Sequence, residues 1–370
     1  MTGVGTESVS VLTIVGARPQ FIKAFAVSRE LRPDHDEVLV HTGQHYDEVL
    51  SDVFFDELGI PEPDYNLAVG SDTHGRQTAA MLKGIEEIIE TENPDIVLLY
   101  GDTNSTLAGA IAASKIAPDV AHVEAGLRSY NREMPEEINR VLTDHASDLL
   151  FPPSESAADT LRQEGITEGV HNIGDVMYDA ILWARDIAAT ESDVLERVDI
   201  KEDEFILSTV HRASNTDDPD RLESIVDGLA RTPLTVVLPI HPRTEKRLQE
   251  YDLWERATRE LEVVDPVGYL DFVRLLDASE RVATDSGGVQ KEAFFLDTPC
   301  VTMRDETEWI ETVESGWNVL VGSDREAIEK ELSTNRYLGE KPSPYGDGTA
   351  AEDIVDVLAD RLGERIVGDQ

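Results

Sequence analysis

Short β-branched runs alternate with amphipathic stretches along the whole chain, and few folds are open to such a pattern. Strands that are apolar on both sides must be covered on both sides, which a parallel sheet flanked by helices achieves. In the first half the runs are VLTIVGA from Val11, EVLVHTG from Glu37, DIVLLYG from Asp95, DVAHVEAG from Asp119, DLLFP from Asp148 and VHNIGD from Val170. The second half repeats the scheme with FILSTVHR from Phe205, LTVVLPIHP from Leu234, LEVVDPV from Leu261, RVATDSGG from Arg281, CVTMR from Cys300 and WNVLVG from Trp317. At 370 residues the chain is too long for one ordinary α/β core, and its 40% hydrophobic content is enough to bury two. The pattern predicts a disordered leader over 1–10, a Rossmann-like domain over 11–178 and a second over 179–349, joined within VMYDAILWARDIAATESD. A final helix over 350–370 follows the turn PSPYGDG and is expected to cross back onto the first domain. The expected architecture is therefore α/β, two Rossmann-like domains facing a cleft.

Charge narrows the partners. Lys and Arg total 32 against 75 Asp and Glu, a formal net charge of −43, which would repel nucleic acid and anionic membranes. Only eight of the bases are lysine, a composition we read as adaptation to a very salty cytoplasm. There the Debye length falls to about 3 Å and self-repulsion is screened. No apolar stretch reaches the roughly 20 residues of a transmembrane helix. The leader MTGVGTESVS lacks the basic and apolar parts of a signal peptide, so a cytoplasmic location is expected. The single cysteine, Cys300, lies in an apolar run and reads as core.

The stretch from His122 to Arg140, HVEAGLRSYNREMPEEINR, gathers Glu124, Arg128, Arg132, Glu136 and Arg140 around Gly126 and a helix-starting Pro135 at the end of a strand. In an α/β sheet that edge is where ligands bind. Acids alternating with arginines there suit a ligand that is anionic at one end and needs protons moved at the other, or else a solvated, salt-bridged loop. Glu137, about 100° around the helix from Glu136, is expected to face solvent. GARPQFIK sets Arg18 and Lys23 just after the first strand, and YGDTNST makes Asp102 the sole acid of another strand-to-helix turn, where an N-cap and a cleft acid are compatible roles. TVHRAS and IHPR place His211 with Arg212 and His241 with Arg243 at two strand ends, a pairing that favours an anion. In TDSGGVQKE, Ser286, Gly287 and Gly288 form either a diphosphate seat at a helix N-terminus or a tight packing turn, and Glu292 could accept from a ribose diol.

No cofactor is expected. The nearest approach to GxGxxG is Gly3, Gly5 and Ser8, which precedes the first strand instead of following it, so a dinucleotide is disfavoured. No metal is expected either. There is no zinc-spaced His and Cys cluster, and Gly43 breaks the interval between His41 and His45, leaving His45 a turn or cleft residue.

The series GARPQFIK, TGQHYDE, YGDTNSTLAG, HVEAGLRS, MPEEINRVLTDH, TVHRAS, HPRT, TDSGGVQKEA, RDETEW and PYGDG resembles, in order and over nearly the whole chain, the non-hydrolysing UDP-N-acetylglucosamine 2-epimerases. The resemblance implies the glycosyltransferase-B fold and interconversion of UDP-N-acetylglucosamine and UDP-N-acetylmannosamine without NAD or metal. It matches Asp102, Glu124 and Glu136 to acid–base carboxylates and His211 to a catalytic histidine near the diphosphate. Arg18, His211, Ser286, Gly287, Gly288 and Glu292 match UDP contacts, and Lys23 and Arg140 match charged cleft residues. It also implies a homodimer and, in some members, a second UDP-N-acetylglucosamine acting as activator, for which Gln44 and His241 match part of the site. Gln20, TVHRAS and RDETEWIETVESGWN depart from the commonest pattern toward a subgroup that includes epimerases of UDP-2,3-diacetamido-glucuronic acid. A UDP-sugar glycosyltransferase of the same fold, a hydrolysing epimerase and a non-catalytic UDP-sugar sensor are the alternatives.

Overall fold

The structure, a computed structural model, describes residues 8–44, 61–334 and 339–368. The chain divides into two units, Met1–Ala180 with Ser343–Gln370, and Ile181–Pro342. The first holds β1 (Ser10–Val15), β2 (Asp36–His41), β3 (Tyr65–Asn66), β4 (Ile96–Tyr100), β5 (Asp119–Val123) and β6 (Leu149–Phe151) in the order β3-β2-β1-β4-β5-β6. The second holds β7 (Phe205–Thr209), β8 (Thr235–Pro239), β9 (Glu262–Val264), β10 (Arg281–Thr284), β11 (Cys300–Thr302) and β12 (Asn318–Leu320) in the order β12-β11-β10-β7-β8-β9. Every pairing is parallel. Each sheet thus starts in its middle and winds outward both ways. Its order reverses between β1 and β4 in the first unit and between β7 and β10 in the second, where open α/β sheets bind ligands.

The apolar runs explain the layering. Val11 to Val15 and Ile96 to Tyr100 are buried throughout, and Leu12, Ile14, Val97 and Leu99 pack with Met81, Ile85 and Ile89 of the helix His74–Glu92. In the second unit Ile206, Val236, Leu238, Ala283 and Val301 do the same with Leu222, Ile225 and Val226 of the helix Pro219–Leu229. Each fully buried Leu, Ile or Val contributes roughly 1.5–3 kcal/mol. Cys300, at the start of β11, is buried too, which pushes its thiol up to about 12.

Four expectations change. Residues 8–10 are not leader: Ser10 opens β1 and Val9 is fully buried, while residues 1–7 lie outside the described part. VHNIGD is not a strand but a single bridge from Val170 to Leu150, because Gly174 (φ +93°) turns the chain to lie against Tyr345 and Gly346. That contact also draws the PYGDG turn into the first unit, since Tyr345 is buried and its carbonyl accepts the Asp175 N–H at 3.0 Å. The units therefore divide at Ala180 and Ser343 and not at 178 and 349. Two residues, Tyr65–Asn66, form β3, too short for a periodic signal.

The terminal helix Ala350–Gly368 packs against the helix Arg18–Leu31, burying Ala350, Ala351, Ile354 and Leu358. Its start is fixed by the Ala351 N–H donating to Asp179 at 2.9 Å, and Arg361 pairs with Asp119 at 2.8 Å. Burial pushes the Asp179 carboxyl up to about 6 despite those N–H donors. Among the described residues no helix is long and apolar enough to cross a membrane, and no cluster of three His, Cys, Asp or Glu could hold a metal ion.

Candidate active site

In the first unit the loops after β1, β4 and β5 deliver charge to one edge of the sheet. Lys23, on the second turn of the helix Arg18–Leu31, makes an ion pair with Glu124, the residue after β5, and both side chains are largely buried. Glu124 adopts left-handed backbone (φ +69°), unusual for a residue with a side chain and worth of order 1–3 kcal/mol of strain. The Glu124 carboxylate lies over the β4 turn, 3.3 Å from where a Cβ on Gly101 would stand. Burial by itself would lower the Lys23 ammonium's pKa, but Glu124, with Asp175 and Asp102 farther off, holds it above its ordinary value.

Asp102 is not the N-cap of the helix it precedes. Thr103 fills that role, accepting the Thr106 N–H, which leaves the Asp102 carboxylate to Arg140 Nη2 at 2.5 Å. Asn139 donates to the Asp102 carbonyl at 2.9 Å, so the helix Pro135–Ala146 grips this turn by two side chains. Glu136 is half-buried one turn before Arg140, and among the described residues its side chain makes no hydrogen bond or ion pair. Two partly buried acids are thus each matched to one cation, an arrangement costly to build and so informative when it sits at a ligand-binding edge.

Two side chains of this region do structural work instead. Glu137, expected in solvent, is buried and accepts from the Ser129 and Tyr130 N–H groups at 2.8 and 2.9 Å. Burial would raise its pKa, but those donors and Arg140 hold it below the usual range. Arg128, expected among ligand-facing charges, is 2% exposed and bound to Asp144 and Glu164, each at 2.7 Å. Gln20 is also committed: its amide oxygen caps the Gly16 and Ala17 N–H groups while its amide nitrogen donates to the Tyr100 carbonyl. Gln44 is buried with its amide oxygen accepting from Ser105, and His45 lies outside the described residues. Arg18 opens its helix directly after the β1 turn.

In the second unit the helix Gly287–Phe295 begins at the switch between β7 and β10, with Ser286 as its N-cap. Asp285, fully buried, receives the His211 N–H, the Arg212 N–H and Asn215 Nδ2 at 3.0–3.1 Å, and faces His211 Nδ1 at 3.3 Å. That one carboxylate orients the β7 turn and the His211 ring. Arg212 and Arg304 flank Glu308 at 3.8 and 2.9 Å beside Gly287. Glu292, half-buried one turn into the helix, is pushed up to about 7 by burial, which Lys291 only partly offsets. His241 caps the helix Pro242–Glu250, its Nδ1 accepting the Arg243 N–H, with its ring 5.5 Å from that of His211. Arg243 itself is spent on Asp217 and Thr216.

Lys23, Asp102, Glu124 and Arg140 are therefore brought together in one unit, and His211, Arg212, Ser286, Gly287 and Gly288 in the other, with Glu292 and His241 next to the latter set. Sequence reasoning missed Asp285, Asp144, Asp175 and His122. The available signal for Asp285 was its place beside Ser286 in TDSGG, since a polar residue closing a strand at a switch point has a backbone to hold.

A profile of the UDP-N-acetylglucosamine 2-epimerase family matches residues 29–359. The chain belongs to that family. A Methanococcus maripaludis protein named as a UDP-N-acetylglucosamine 2-epimerase homolog is 51% identical over 352 residues, 94% of this chain and 99% of the relative. A Pseudomonas aeruginosa UDP-2,3-diacetamido-2,3-dideoxy-D-glucuronate 2-epimerase is 50% identical over 359 residues, with the same two coverages. The solved structure of the Methanocaldococcus jannaschii UDP-GlcNAc 2-epimerase with UDP-GlcNAc and UDP superposes with a TM-score of 0.76 at 44% identity, covering 94% of this chain and 99% of that one. Two Rossmann-like units in one chain, the make-up of the glycosyltransferase-B fold, are common to this family and to the structure described above.

Proposed function

We propose that this family member is a non-hydrolysing UDP-N-acetylglucosamine 2-epimerase, an isomerase that interconverts UDP-N-acetylglucosamine and UDP-N-acetylmannosamine. The observation that carries the reading is the pairing of Glu124 with Lys23 and of Asp102 with Arg140 at one sheet edge, two carboxylates kept ready to accept protons. The hydrogen on sugar C2 is not next to a carbonyl, so a base cannot remove it until charge builds on the ring. Breaking the C1–O bond supplies that charge: UDP leaves with the bonding pair, a carboxylate takes H2, and 2-acetamidoglucal results. Reprotonation of C2 on the opposite face and return of UDP to C1 give the epimer, with no net redox change.

Such a reaction needs acid–base groups and a cationic grip on the leaving diphosphate. Asp102, Glu124 and Glu136 are assigned to proton transfer, with Lys23 and Arg140 setting the charge of the first two. The diphosphate is assigned to the N-terminus of the helix Gly287–Phe295, with Ser286, the backbone N–H groups of Gly287 and Gly288, Arg18, His211 and Arg212. The helix dipole there is worth about half a positive charge. Glu292 is assigned to the ribose hydroxyls and His241 to the edge of the same site.

The variants Asp102→Asn, Glu124→Gln and Glu136→Gln should each lose about 10² or more in kcat while UDP affinity, read by calorimetry, stays within a few-fold. Near-normal kcat in all three would remove the acid–base assignment. The P. aeruginosa relative supports a second reading, in which the sugar is a 2,3-diacetamido-uronic acid. The ratio of kcat/KM for the two UDP-sugars decides between them.

A further inference from the structure

His122, in β5, is fully buried between the two acid-bearing turns of the first unit. Its Nδ1 is 2.7 Å from Asp144 Oδ1 and its Nε2 is 2.7 Å from the Gly101 carbonyl. A carbonyl can only accept, so Nε2 carries a hydrogen. Asp144 Oδ2 takes the Arg128 guanidinium at 2.7 Å and the Gly126 N–H at 3.1 Å, so the carboxylate that holds the His122 ring is itself anchored to the turn after β5. Burial would raise the Asp144 pKa, but His122 and Arg128 outweigh it and hold it low. Behind Asp144 stand Arg128 and then Glu164, and the Gly101 turn at the other end of the ring has Glu124 and Lys23 against it.

The backbone atoms this network holds are the ones that matter for the acids. Gly101 has left-handed backbone (φ +64°) and immediately precedes Asp102, while Gly126 (φ +81°) follows Glu124 by two residues. We propose that His122, bonded through Nδ1 to Asp144 and through Nε2 to the Gly101 carbonyl, is a positioning residue that fixes the Gly101 turn and so aims the Asp102 carboxylate during proton transfer at sugar C2. The positioning role rests on the epimerase reading, whereas the bond from Nε2 to Gly101 does not.

Two measurements test it. In protein labelled with 15N-histidine, the His122 Nε2 should carry a slowly exchanging hydrogen, as its bond to the Gly101 carbonyl requires. A bare Nε2 overturns that bond whether or not any variant folds. For the turn, Gln reaches about as far as Nε2 and Asn about as far as Nδ1, so His122→Gln can keep the Gly101 bond and His122→Asn only the Asp144 bond. His122→Asn should lose about 10²-fold in kcat with KM within about threefold, and His122→Gln should stay within about tenfold of the native kcat. Equal kcat in the two variants, or the reverse order, overturns the positioning role. If the native protein itself epimerises no UDP-sugar, the epimerase reading fails while the Nε2 result stands on its own.

Discussion

A methyl group added at Gly288 would meet nothing closer than the Ser286 hydroxyl, 3.9 Å away, and Gly288 has no left-handed backbone to accommodate. Folding thus offers no reason for glycine in a helix, where it costs up to about 1 kcal/mol against alanine. Gly16 is the contrast, because a Cβ there would stand 1.9 Å from Ser105 Oγ. The proposed diphosphate seat supplies a reason, close approach by a ligand, and on that proposal Gly288→Ala should keep or slightly raise the thermal midpoint while weakening UDP binding at least about tenfold. A drop in midpoint with unchanged affinity would make it a packing glycine. Glu292 gives a pH test at the same helix. Its folded value of about 7 lies above the ordinary 4.5, so the folded state holds the proton more tightly. The associated stability is present below about pH 4.5 and is lost as pH rises toward 7. The stability advantage of Glu292→Gln over the native protein, read from denaturant unfolding without ligand, should therefore grow from about pH 4.5 to 7 and level off above. A constant difference across that range would contradict the raised value.

At the level of elements, the short β5-to-helix connection is under the tightest steric limits. Gly126 has φ +81° and a Cβ there would lie 2.3 Å from the Ala157 carbonyl oxygen, a backbone atom that cannot swing aside. Gly126→Ala should destabilise the first unit by several kcal/mol, seen as a large fall in unfolding midpoint, and abolish turnover with it. A native-like midpoint would mean the turn can relax. Among the described residues, eleven of the twelve strands could be read from apolar runs because burial on both sides leaves a continuous hydrophobic signature. Tyr65–Asn66 carried too few residues to show one, and Val170 sat in an apolar run whose neighbour Gly174 diverts the chain. Lys23, Asp102 and Glu124 were legible because a charged side chain soon after the carboxyl end of an apolar strand falls on the edge where parallel sheets bind ligands, and Arg140 because it closes the charged stretch that follows β5. Glu137 and Arg128 misled because spacing on a helix or loop does not say which side the rest of the unit will cover. Asp144 and Asp285 stayed hidden for the same reason: their partners, His122, Arg128 and the Gly126 N–H for one and the His211 and Arg212 N–H groups with Asn215 for the other, come from segments distant in sequence.

Across the whole molecule, both sheets share one winding, and each places its polar residues where its order reverses. The chain carries a formal charge of −43, against which the positioned cations Lys23, Arg140 and Arg212 are few and local. At high ionic strength long-range steering is screened, so recognition of an anionic UDP-sugar falls to these close contacts. The enzyme's central act would be to cleave and remake the C1–O bond while exchanging the hydrogen at C2. Incubation with UDP-N-acetylglucosamine in deuterated buffer, followed by proton NMR of the nucleotide sugars, tests this most directly. The expected result is an equilibrium mixture with UDP-N-acetylmannosamine in which C2 carries solvent deuterium and no free sugar is formed. Turnover that leaves the C2 proton in place, or that releases free N-acetylmannosamine, would contradict it.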